Sequence, residues 1–146
     1  MMAYLDAGFL MTALFKTPSF AITNATLRDL SAPFRINRLH HLQVENVILL
    51  SLRSDEPEQR DDGLKGQSLW RNYLAEGVFQ IDTTEWETAL ALAAQLHKGL
   101  TQPTPWPLLL HPALAAVEAA THFASYDPRS RVIGKALGMN LLPEDI

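Results

Sequence analysis

Short apolar runs alternate with longer stretches of helical periodicity along almost the whole chain, and this alternation limits the fold more than any other feature. Strand-length runs occupy residues 3–6, 33–37, 78–82, 122–126 and 139–142. Helices are predicted between them, over residues 7–15, 24–30, 38–52, 67–75, 84–98, 112–120 and 129–137. Parallel neighbours need a crossover connection, usually a helix. The alternation therefore predicts an α/β fold, with a central parallel sheet of four or five strands covered by helices on both faces. The 146 residues are an ordinary length for one domain, and a single domain over residues 1–146 is expected.

Local signals set the expected boundaries. Thr17-Pro18 ends the first helix, because proline lacks the N–H and clashes with the preceding turn. Asn24 or Thr23 suits the cap of the second. Leu39, Leu42, Val47 and Leu50 recur at helical spacing in the third. Residues 53–66 are polar and charged and read as an exposed connection between two helices. Thr84 with Glu87 has the form of a capping box. Pro103, Pro105 and Pro107 mark an irregular loop, and Pro112 suits the first turn of the helix that follows it. Gly138 is placed to close the last helix.

Composition removes several classes of function. There are no cysteines, so disulfides, thiolate zinc sites and cysteine nucleophiles are excluded. That fits a reducing, cytoplasmic setting. Apolar residues at 47% argue for a packed core and against disorder. The formal charge of −4 is not the basic balance of a dedicated duplex-DNA binder. Residues 1–15 are apolar but carry Asp6 and lack a basic start, so no signal peptide is expected, and no run reaches membrane-spanning length. No glycine-rich phosphate loop follows the first strand, which removes the Rossmann and P-loop readings.

Two aspartates stand where an open α/β sheet collects its chemistry, outside the carboxyl ends of strands. Asp6 ends the first strand and Asp127 follows the fourth. The plain alternative for each is a helix cap, and for Glu45 a solvated helix residue. The five histidines, at 40, 41, 97, 111 and 122, include no pair at the i, i+4 spacing of a helical zinc site. Arg35, Arg38, Arg129 and Arg131 are candidates for a basic rim facing RNA phosphate, or are scattered surface charge. Trp70, Trp86 and Trp106 read as core or interface anchors, with the surface around Trp70 and Tyr73 a candidate for dimer contact.

Four features in order carry a resemblance to a known family. Tyr4-Leu5-Asp6 runs into a helix. Asn37 precedes a helix that contains Glu45. A tract reads Leu110-His111-Pro112-Ala113-Leu114-Ala115. Phe123-Ala124-Ser125-Tyr126-Asp127-Pro128-Arg129 precedes Gly138-Met139. Together they resemble a PIN domain, closest to the VapC-type toxins of prokaryotic toxin–antitoxin pairs, over nearly the whole chain. The resemblance implies a three-layer α/β/α fold and a ribonuclease that gathers three or four carboxylates around Mg²⁺ or Mn²⁺.

Carried over residue by residue, that implication is incomplete. Asp6 matches the first acid, but Ala7 and Gly8 stand where the family has small hydroxyl residues. Gln43 falls on the second acid. Glu45 lies two positions on, about 200° around the helix. Leu108 takes the place of the third acid, with His111 on the family's histidine. Asp127 matches the fourth, with Ser125 where threonine is usual, and Gly138-Met139 matches the closing Gly-Leu. The candidate site is thus Asp6 and Asp127 as remnant acids and metal ligands, with Gln43 or Glu45 as further contributors. Losing two charges from a four-carboxylate cage weakens its hold on a hydrated dication. The expectation is a cytoplasmic, homodimeric VapC-like protein, inactive or weak as a nuclease, that binds RNA or an antitoxin-like protein. The alternative is a working Mg²⁺- or Mn²⁺-dependent endoribonuclease toxin using Asp6, Asp127 and either Glu45 or Gln43.

Overall fold

The computed structural model describes residues 1–146 as a mixed α/β chain of five strands and seven helices. In order these are β1 (Ala3–Leu5), α1 (Ala7–Thr12), α2 (Phe20–Leu30), β2 (Phe34–Ile36), α3 (Arg38–Leu52), α4 (Pro57–Ala75), β3 (Phe79–Ile81), α5 (Trp86–Gly99), α6 (Trp106–Val117), β4 (His122–Ala124), α7 (Pro128–Ala136) and β5 (Asn140–Leu142). All strand pairs are parallel, as the helical crossovers require. The ladders form one sheet of order β1-β4-β5 and a second of β2-β3. That corrects the expected single sheet of four or five strands. Each strand is only three residues long, so each edge offers very few amides for pairing. The chain divides into two compact units, Met1–Gly8 with Thr83–Ile146, and Phe9–Asp82.

In the unit containing Thr83–Ile146, β4 is the central strand. It pairs Ala3↔His122, Tyr4↔Phe123 and Leu5↔Ala124 on one side, and His122↔Asn140 to Ala124↔Leu142 on the other. Tyr4 and Phe123 stack with ring centroids 6.1 Å apart. A Cβ on Gly134 of α7 would stand 2.7 Å from the Phe123 ring, so glycine lets this helix reach the sheet. Seven consecutive residues of α6, 109–115, are buried. A helix that is apolar all round belongs in a core.

α6 departs most from expectation. It starts at Trp106 and runs through Pro112, which was expected to open the helix. Pro112 cannot bond the carbonyl four residues back, at Leu108. Ser130 of α7 supplies the missing donor, its hydroxyl reaching Leu108 O at 2.9 Å. With that acceptor satisfied from outside, the helix tolerates the proline. The Thr84–Glu87 capping box does not form. Glu85 takes the N-cap position of α5, and Thr84 Oγ1 donates to Glu118 Oε1 at 3.3 Å instead.

In the unit Phe9–Asp82, β2 and β3 pair Phe34↔Phe79, Arg35↔Gln80 and Ile36↔Ile81. Phe79 is the hub of an aromatic cluster, with Trp70, Phe34 and Tyr73 at centroid distances of 5.7, 5.6 and 5.5 Å. Trp70 is fully buried, so it is a core residue and not a dimer contact. α3 has the expected bounds. Asn37 Oδ1 accepts from the N–H groups of Leu39 and His40, and His40 Nδ1 accepts from Asn37 N–H, a reciprocal cap worth about 1 kcal/mol.

Residues 53–66 are not an open connection. α4 begins at Pro57, whose fixed φ suits the first helical turn, with Glu58 beside it at the positive end of the helix dipole. Gly63 lets α4 close on α3, since a Cβ there would meet Ser51 Cβ at 2.9 Å. α2 begins four residues before Asn24, after Ser19. Thr23 is buried and shares a 2.6 Å hydrogen bond with Thr12, while Asn24 donates to Phe20 O. Neither residue caps the helix. No helix is long and apolar enough to cross a membrane.

Candidate functional site

The candidate site lies at the carboxyl edge of the three-stranded sheet. Parallel pairing brings the ends of β1 and β4 to the same edge. Asp6 extends the ladder by one bond, its N–H donating to Ala124 O at 2.9 Å, and its residue is 5% exposed. Ser125 follows on β4, and its hydroxyl accepts from Asp127 N–H at 3.1 Å. That local turn aims the Asp127 carboxylate at the start of α7.

Asp127 is committed there. Oδ1 accepts from Arg129 N–H at 2.9 Å and Ser130 N–H at 3.2 Å, capping α7. The Arg129 guanidinium closes on both oxygens, Nε to Oδ1 at 3.4 Å and Nη2 to Oδ2 at 3.2 Å. Partial burial pushes the carboxyl's pKa up. Hydrogen bonds from the Arg129 side chain and the Ser130 and Arg129 N–H groups, with the guanidinium charge, outweigh it and leave the pKa below the ordinary 3.8. The carboxylate is an anion paired with Arg129, two residues along the chain.

Beneath the edge, Tyr4 Oη and His111 Nδ1 share a buried 2.8 Å hydrogen bond, so His111 is a packed residue held by the strand that carries Asp6. Leu108, which the resemblance sets against the third acid, lies in α6. Its side chain offers no oxygen, and its main-chain oxygen is taken by Ser130. Gln43 and Glu45 belong to α3 in the other unit. Val44 and Ile48 form the buried stripe of that helix. Glu45 is exposed, with Oε1 4.0 Å from His41 Nε2 one turn back.

Within this unit Asp6 and Asp127 follow paired strands at one sheet edge, and Ser130 links the Asp127 cap to the main chain of Leu108. The Asp127 carboxylate accepts from two amides and a guanidinium, and the Leu108 side chain carries no oxygen. No group of three or more His, Asp or Glu side chains is gathered closely enough to hold a metal ion.

Three of the four arginines read as a basic rim or as scattered charge have partners within the fold. Arg35 pairs with Asp82 beyond the end of β3, Arg129 with Asp127, and Arg131 donates to main-chain carbonyls. Ser130 and Tyr4 escaped sequence reasoning because their partners lie 22 and 107 residues away. Comparison with protein-family models, curated proteins and solved structures finds no match to this chain.

Proposed function

We propose that this chain is a VapC-like PIN protein whose nuclease centre has been lost and which acts by binding RNA or an antitoxin-like protein as a cytoplasmic homodimer. The observation that carries it is the state of Asp127: both oxygens are engaged by Arg129, and Leu108 stands where a third acid would be needed. A dication must shed water to bind, and only converging, unneutralised oxygens offset that cost.

The test is thermal melting and RNA cleavage in millimolar Mg²⁺ or Mn²⁺ against EDTA. A ligand that binds the folded state raises its melting temperature. Neither metal is expected to raise it, and no cleavage is expected. Metal-dependent cleavage that disappears in both Asp6→Asn and Asp127→Asn overturns the proposal in favour of a working nuclease.

A further inference from the structure

Beside β5 stand two cations, Arg131 and Lys135, that form no ion pair within the fold. Arg131 of α7 reaches the ends of β4 and β5. Its Nη1 donates to Ser125 O at 2.9 Å and Leu142 O at 3.0 Å, and its Nη2 to Pro143 O at 2.9 Å. All three acceptors are neutral carbonyls, so the charge stays whole. A guanidinium has five N–H groups. Three are used here. Nε–H and the second Nη2–H remain, the edge of the fork that meets two oxygens of one oxyanion side by side. Partial burial lowers the Arg131 pKa from its ordinary value, the mark of a cation held short of water.

Arg131 is also a wall of a cavity of about 520 Å³. Lys135, one turn further along α7, lines it too and forms no ion pair within the fold. His122 and Asn140 contribute an imidazole and a carboxamide from the starts of β4 and β5. The His122 ring is anchored through Nδ1 to Thr121 Oγ1 at 2.9 Å. Glu144 is the one acid in the lining.

We infer that this cavity binds a phosphate monoester. Arg131 and Lys135 match the two charges of a phosphate dianion, and Arg131 supplies the paired donors. A carboxylate would use the fork but leave the second charge unmatched. The volume lies within the range of small-molecule sites and exceeds what a bare phosphate fills. The remaining space holds an organic part bearing hydroxyls, for which Glu144 is an acceptor. This site uses neither Asp6 nor Asp127 and stands apart from the nuclease question.

The test is an amide-resonance titration of the ¹⁵N-labelled full chain with inorganic phosphate and with ribose 5-phosphate, against sodium chloride at equal ionic strength. Saturable shifts confined to α7, β5, Glu144 and the start of β4 are expected with both, at lower concentration for the ester. Lys135→Glu, at an exposed position, should weaken both by about tenfold or more, and Arg131→Lys similarly, because it keeps charge but loses the fork. Arg131 also holds three carbonyls, so Lys135→Glu keeps the test alive if the Arg131 variant unfolds. Glu144→Gln removes the one negative charge in the lining and should tighten inorganic phosphate. Shifts that follow ionic strength alone, or unchanged binding in Lys135→Glu, overturn the inference.

Discussion

The Ser130 hydroxyl donates to the Leu108 carbonyl at 2.9 Å, replacing the bond that Pro112 cannot make inside its own helix. Two helices are thereby joined at a point where one of them is chemically incomplete. Ser130 is itself fully buried, so no water stands ready to take its place.

This relationship predicts a double-mutant cycle. Ser130→Ala strands a main-chain acceptor and should cost about 1–3 kcal/mol, a fall of several degrees in melting temperature. Pro112→Ala restores an N–H that bonds Leu108 within α6. In that background Ser130→Ala should cost clearly less. Denaturant unfolding of the four proteins measures the coupling, and additive effects would refute it.

Asp127 predicts an acid-sensitive stability. Its folded pKa lies below the ordinary 3.8. The stabilisation is therefore complete above 3.8 and lost as pH falls through the folded value. Asp127→Asn removes the charge that pairs with Arg129 and should flatten this part of the stability–pH curve. Chemical denaturation from pH 6 downward, wild type against variant, checks it. A variant with the same acid limb as wild type would show that other carboxylates set it.

The C-terminal caps predict opposite effects from opposite substitutions. α6 and α7 end alike, with Ala120 N–H reaching Ala115 O and Met139 N–H reaching Gly134 O, each five residues back. The left-handed position is Gly138 in one and Ala119, at φ 58°, in the other. Ala119→Gly should stabilise by about 0.5–1 kcal/mol and Gly138→Ala should destabilise by a similar amount, read by thermal melting.

Gly134→Ala should destabilise although it improves helix propensity. The added Cβ meets the fully buried Phe123 ring at 2.7 Å. Overpacking of this kind costs about 1–3 kcal/mol against a propensity gain of about 1. A measured gain in stability would mean that the ring or helix moves aside at little cost.

The nuclease resemblance and the geometry meet at Asp127, and there the difference between local and distant information is plain. Its place at the end of β4 and its capping role follow from Ser125-Tyr126-Asp127-Pro128-Arg129 alone, because every partner lies within three residues. The N-terminal boundary of α4 was also written locally, in Pro57, but the charged run around it reads equally well as a loop. Packing decides that ambiguity, with Gly63 closing on Ser51.

By itself the sequence determined the alternation of strands and helices, the positions of Asp6 and Asp127 at strand ends, the Asn37 start of α3 and the glycine that closes α7. These depend on periodicity and on caps whose donors and acceptors are neighbours in the chain. Only the tertiary structure decided that α6 runs through Pro112, that Tyr4 holds His111, that Trp70 is core, and that the five strands bond as three and two. Each depends on atoms brought together from distant parts of the chain, and short-range pattern carries no record of them.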